Sequence, residues 1–158
     1  MSNCNFIGVG GLVVRDGEYL MVRHCYGEYC DCWILPGGQV KPGEPLHEAI
    51  EREIWEEAAV RTEAQGIIAV RSRSRGPCTT DCYVVFLLKH IAGEPKADGY
   101  EVNDARFFSR EDLNRMDNVI VLSKTIIQEH ANNNLQCLPR NTIHAPYLTN
   151  RTDIQLFI

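Results

Sequence analysis

At 158 residues and 44% hydrophobic content, the chain is sized for one compact domain with a proper core, so 1–158 reads as a single domain with 134–158 as a C-terminal extension. Its net charge of −5 excludes the basic footprint of a general nucleic-acid binder, and an anionic ligand would have to be met by local groups. No apolar run approaches the roughly 18 residues of a membrane span, and MSNCNFIGVGGLVV has no cationic stretch ahead of its apolar run; the chain reads as cytoplasmic, with neither DNA nor membrane as partner.

In chain order, Phe6 to Arg15 reads as an apolar strand, Asp16-Gly17 as a hairpin turn, and Glu18 to Arg23 as the returning strand. Cys32 to Leu35 is a short strand. The segment with Pro36, Gly37, Gly38, Pro42, Gly43 and Pro45 is expected to be irregular, and Leu46 to Ala58, free of Gly, Pro and β-branched runs, to be helical. Ala64 to Arg75 and Asp81 to His90 read as longer strands, Ile91 to Tyr100 as a loop, Arg106 to Ser109 as a strand and Arg110 to Arg115 as a helical turn. Asn118 to Asn133 reads as a second full helix, and the tail from Asn134 as turn-rich until Asp153 to Ile158 regains strand character. Strands interleaved with helices give a mixed sheet between helical layers, an α/β fold without internal repeats.

The chemistry concentrates in Gly38 to Val60, GQVKPGEPLHEAIEREIWEEAAV. At about 100° per residue, Glu53, Glu56 and Glu57 fall beside Leu46, Ala49 and Ile50, with Trp55 opposite, so these carboxylates point toward the body of the protein. A plain surface helix with Glu48 and Arg52 as an i,i+4 pair explains Glu48 well and the other three poorly. Clustered carboxylates repel unless a cation or an arginine compensates them, and hard oxygen donors suit Mg²⁺, with Mn²⁺ as the alternative.

These residues resemble the signature of the Nudix hydrolases, the MutT-like family, G-x5-E-x7-R-E-U-x-E-E-x-G-U with U aliphatic. Gly38, Glu44, Arg52, Glu53, Ile54, Glu56, Glu57 and Val60 match in register, and Ala59 stands where the family usually has Gly. The resemblance implies a Nudix-type α/β/α sandwich with a mixed β-sheet and Mg²⁺-dependent cleavage of a diphosphate bond in a small-molecule nucleotide, either a nucleoside triphosphate or a sugar nucleotide such as ADP-ribose. It implies Glu53, Glu56 and Glu57 as metal ligands, with the Gly37 carbonyl as a further one and Glu53 as a base in some relatives. Arg52 and Glu44 would orient the carboxylates and the loop. Many family members are homodimers, which makes a homodimer a candidate assembly. A catalytically silent nucleotide-sensing module and an isoprenyl-diphosphate isomerase are alternatives on the same fold; the intact glutamate set argues against the first, and the altered metal box of the second has no counterpart here.

Beyond the box, Glu101, with Asp98 and Asp104 nearby, occupies the region from which relatives draw an additional metal-binding carboxylate. Arg23 ends the second strand opposite the glycine-rich loop and is a candidate phosphate contact. Arg71, Arg73 and Arg75 alternate with serines and line one strand face, either holding a phosphate-rich substrate or discouraging edge pairing. Asn118 is a candidate for reading a base edge, and Pro77 lies near a proline of ADP-ribose-acting relatives. The seven cysteines are odd in number and lack C-x2-C spacing, so reduced thiols are expected and structural zinc is not. The sequon at Asn150 carries no meaning in a cytoplasmic protein. The apolar end, Leu156 to Ile158, is expected to cover a groove or pair with a second subunit.

Overall fold

The computed structural model describes residues 5–74, 76, 79–144 and 153–158; Cys4, Arg75, Pro77, Cys78 and the sequon at Asn150 lie outside them. In chain order the strands are β1 (Phe6–Arg15), β2 (Glu18–His24), β3 (Trp33–Ile34), β4 (Gly37–Gln39), β5 (Arg61–Ser74), β6 (Thr80–Ala92), β7 (Val102–Phe108), β8 (Leu138–His144) and β9 (Asp153–Phe157). The helices are α1 (Leu46–Ala58), α2 (Arg110–Arg115) and α3 (Val121–Ala131), with a single 3₁₀ turn at Gly27–Tyr29.

The sheet runs β3-β2-β1-β6-β5-β8-β9, with β7 on the far edge of β2 and β4 on β1. β1 and β6 are parallel, Phe6 opposite Asp81 through Val14 opposite Lys89, and the other ladders are antiparallel. The β1–β2 hairpin turns on Asp16 and Gly17, both at positive φ, as a primed two-residue turn requires. β1 and β2 pair only next to that turn and then diverge. Into the opening wedge step β3, on β2, and β4, on β1. This divergence brings the glycine-rich segment against the middle of the sheet.

Strand alternation gives each sheet face its own core. Val9, Val13, Leu20, Val22, Val84, Phe86 and Leu88 pack with Ala49, Ile50 and Ile54 of α1; Leu12, Met21, Trp33 and Val85 pack with Leu113, Ile126 and Ile127 on the other side. Side chains of this size contribute about 1.5–3 kcal/mol each on full burial, which fixes α1 rigidly over the first face.

Four expectations are corrected. The glycine-rich segment is partly regular, because Gly37, Gly38 and Gln39 pair with Gly10, Val9 and Gly8 as β4. α3 begins at Val121 instead of Asn118: the Asn118 carbonyl accepts from Trp33 N–H at 2.8 Å and Ile120 N–H donates back to Trp33 O at 3.0 Å, which holds the chain extended there. β7 starts at Val102, since its register with β2 extends as far as His24. Inside the turn-rich tail, Leu138–His144 forms β8, paired with Gly66 and Ile67 of β5 and then with β9. The Phe157 ring stands edge-on to Phe86 at 5.4 Å, so the apolar terminus covers the core of its own chain. No helix among the described residues is long and apolar enough to cross a membrane.

Candidate active site

α1 ends where the sequence placed its departure from the glycine pattern. Ala59 sits at φ 53°, ψ 26°, its N–H bonded to Trp55 O at 3.0 Å, so alanine takes the left-handed cap at a cost of roughly 1 kcal/mol. The preceding two turns present the carboxylates in a gradient: the Glu57 side chain is 4% exposed, Glu53 12% and Glu56 50%. Trp55 faces solvent, as the wheel requires.

Gly37 and Gly38 are glycines for a steric reason. Gly37 has φ 154°, and a Cβ there would stand 2.1 Å from Val9 O; a Cβ on Gly38 would stand 2.5 Å from the Glu53 carboxyl carbon. The bare backbone therefore approaches the carboxylates directly. Gly37 N–H donates to Glu57 Oε2 at 2.9 Å, so the tie of Gly37 to the acidic set runs through its amide.

Arg52 organises the rest. Its Nε and Nη2 grip both oxygens of Glu44, at 2.7 and 2.9 Å, Nη1 donates to Glu53 at 2.7 Å and to Glu56 at 2.8 Å, and Nη2 reaches Gln39 O at 3.2 Å. Glu44 also accepts from Lys41 N–H at 3.0 Å, so it ties the loop to the helix. The Arg52 fork beside it holds its carboxyl well down, to about 2. Glu53 and Glu57 move the other way: burial pushes both carboxyls up, against Arg52 in the first case and against His24 and the Gly37 amide in the second.

A cleft of about 680 Å³ opens over these groups, lined among others by Gly37, Gly38, Glu53, Glu56, Glu57, Tyr100 and Glu101. Glu101 is thus brought to the acidic set from across the sheet, its backbone carbonyl held by Cys25 N–H at 3.1 Å. Asp98 shapes that loop, its Oδ1 accepting from the amides of Tyr100, Glu101 and Val102. Asp104 is engaged elsewhere, by Arg106 at 2.6 Å.

The remaining candidates are distributed differently. Arg23 does not line the cleft: it lies on the strand face of Tyr19 and Met21, over the Trp33 ring at 5.7 Å, its Nε donating to Asn103 at 2.8 Å. The next residue, His24, follows Leu20 and Val22 onto the α1 face and lines the cleft instead. Period-2 alternation along β2 carried that signal, and reading the strand only as far as Arg23 missed it. Asn118 likewise stays outside, its side-chain amide donating to Asp31 O at 2.8 Å. Arg71 and Arg73 share a face, as alternation predicts, and converge on buried Asp81 at 2.6 and 2.7 Å. Beyond Ile67, β5 has β6 as its ladder partner among the described residues, consistent with the edge reading of the arginine strip. A second, more apolar pocket of about 240 Å³ adjoins the cleft through His24, Gly37 and Gly38 and is lined by Phe6, Tyr83, Ile126, Arg71 and Arg73.

Residues 5–128 match the NUDIX domain family, and the chain belongs to it. It is a Nudix hydrolase. It is 32% identical over 125 residues, 78% of this chain and 72% of the relative, to an ADP-ribose pyrophosphatase of Methanocaldococcus jannaschii. It is 29% identical over 118 residues, 67% of this chain and 83% of the relative, to the nucleoside triphosphatase NudI of an Enterobacter species. Against two further curated relatives, the human 8-oxo-dGDP phosphatase NUDT18 and Nudix hydrolase 2 of Arabidopsis thaliana, it spans 22% and 40% of their length. The fold superposes on a MutT Nudix hydrolase from Burkholderia pseudomallei with a TM-score of 0.69 at 25% identity, covering 79% of this chain and 97% of that one.

Proposed function

We propose that the protein hydrolyses the diphosphate bond of a nucleoside diphosphate linked to another moiety, a sugar nucleotide of the ADP-ribose kind, with Mg²⁺ or Mn²⁺ bound by Glu53, Glu56 and Glu57 and assisted by Glu101. The observation that carries this reading is the acidic cleft itself, in which buried carboxylates from α1 meet the bare backbone of Gly37 and Gly38. The donors fit a hard divalent ion in charge and type. Glu53 and Glu57 are carboxylates whose burial disfavours their charge, a cost that a cation would offset. Among the described residues no three acidic, histidine or cysteine groups already stand at coordinating spacing, and Arg52 holds Glu53 and Glu56.

When bound, the ion would supply charge neutralisation of the diphosphate and a more acidic water. The chain's own residues do the rest. Arg52 and Glu44 keep the carboxylates in register with the loop, and the Gly37 amide holds Glu57 at the cleft floor. Burial raises the Glu53 carboxyl, against the pull of Arg52, which is the direction that suits a proton acceptor. The adjoining pocket, apolar with Tyr83 and rimmed by Arg71 and Arg73, has the character of a base- or sugar-phosphate-binding recess. The sugar-nucleotide reading is preferred to the triphosphate reading because the archaeal ADP-ribose pyrophosphatase is matched at 32% identity.

The test is incubation of the full chain with ADP-ribose, the nucleoside triphosphates, dinucleoside polyphosphates and coenzyme A, with and without Mg²⁺, followed by product identification. AMP and ribose 5-phosphate from ADP-ribose are expected, only with metal. Release of pyrophosphate from triphosphates alone would move the assignment to the triphosphatase reading, and no turnover of any compound would sink it.

A further inference from the structure

His24 lines the cleft and lies outside the family signature. Its side chain is 15% exposed, its Nε2 is buried without a hydrogen-bond partner, and that nitrogen stands 3.6 Å from Glu57 Oε1. Glu57 meets the Gly37 amide through Oε2 and turns Oε1 toward the ring. His24 also lines both the acidic cleft and the apolar pocket, so the residue stands where the two spaces adjoin. Two donors sharing one ion at about 2.1 Å each stand roughly 3 to 3.6 Å apart, depending on the angle between them. The observed separation falls at the upper end of that range.

We propose that His24 is a nitrogen donor to the divalent ion of this cleft, binding through Nε2 beside Glu57 Oε1. The proposal rests on the metal reading above. It has a consequence which the carboxylates alone do not: an imidazole nitrogen is a softer donor than a carboxylate oxygen, so the site favours Mn²⁺ over Mg²⁺ more strongly than an all-oxygen site does. Phosphate oxygens of the substrate and water would complete the coordination.

Pulsed electron paramagnetic resonance on the Mn²⁺-loaded full chain tests this without turnover. The expected spectrum shows a ¹⁴N coupling to Mn²⁺ that changes to ¹⁵N when only the histidines are isotopically labelled. His24→Gln should abolish the coupling, weaken Mn²⁺ binding by calorimetry about tenfold or more, and change Mg²⁺ binding by much less. The labelled wild-type spectrum decides the question even if the variant is poorly folded. Mn²⁺ binding that is sensitive to Glu57→Gln but lacks any histidine nitrogen coupling would overturn the His24 proposal and leave the metal reading intact. Mn²⁺ binding that is absent, or indifferent to Glu57→Gln, would overturn both.

Discussion

Two charged clusters lie on opposite faces of the sheet, and they are built with opposite balance. On the α1 face one arginine, Arg52, serves Glu44, Glu53 and Glu56, with Glu57 and Glu101 beside them. On the α3 face two arginines, Arg71 and Arg73, converge on Asp81, which is 0% exposed. The first has more negative charge than its arginine can neutralise, the second more positive charge than this aspartate can. An acidic protein that handles an anionic ligand needs both: a place that attracts a cation, and near it a place that tolerates an anion. The pKa shifts follow the same division. Glu53 and Glu57 are raised because burial outweighs their partners, whereas in Asp81 the opposing pull of Arg73 and Arg71 overcomes burial and lowers it.

The largest expected effect comes from removing charge on the first face. Glu57→Gln keeps an acceptor for the Gly37 amide, so the fold should persist by circular dichroism while kcat falls by at least about 10²-fold. Turnover and metal affinity equal to wild type would remove the functional distinction between the two clusters. On the second face the effect should be structural: Asp81→Asn leaves two guanidinium groups sharing a neutral acceptor and should cost about 1–3 kcal/mol in denaturant unfolding. A variant as stable as wild type would mean that the cluster exists for a ligand alone.

Smaller still is the kinetic effect of Arg73→Ala. If this guanidinium meets phosphate in ground and transition states alike, KM should rise a few-fold with kcat nearly unchanged. Kinetics identical to wild type would leave Arg73 as a partner of Asp81 and an edge residue. The smallest effect is acid sensitivity. Because Glu44 is held near 2 in the folded state and titrates near 4.5 unfolded, its contribution to stability is complete above about pH 4.5 and is lost as pH falls toward 2. The stability difference between wild type and Glu44→Gln should therefore shrink over that interval. Asp81, also lowered, should leave a residual slope of the same sign in the Glu44→Gln variant.

Much of the first cluster was legible in the sequence, and little of the second. Helix periodicity places Glu53, Glu56 and Glu57 on one inward side of Leu46–Ala58; Glu57 and Glu53 are buried accordingly, whereas Glu56, at 50% exposure, lies at the solvent edge of that side. Arg71 and Arg73 could be put on one strand face by alternation, but their shared partner lies eight residues beyond Arg73 on the neighbouring strand, and only the β5–β6 register, Arg73 opposite Asp81, reveals it. Arg23 was misplaced for a related reason: the site takes whichever neighbour faces α1, and that is His24.

By itself the sequence determined what is local: the Asp16-Gly17 hairpin, the span of α1, and the register of the carboxylates with Arg52. Each depends on φ/ψ preference or on periodicity within a few residues, and such information is carried by adjacent side chains. Only the tertiary structure decided that β1 and β2 part to admit β4, that Glu101 reaches the acidic cleft, that Pro139 opposite Gly66 hides a strand, and that Asn118 is held by Trp33 and Asp31 away from the pocket. Those outcomes depend on which distant segments pair and in what register, and a one-residue change of register turns every side chain to the other face.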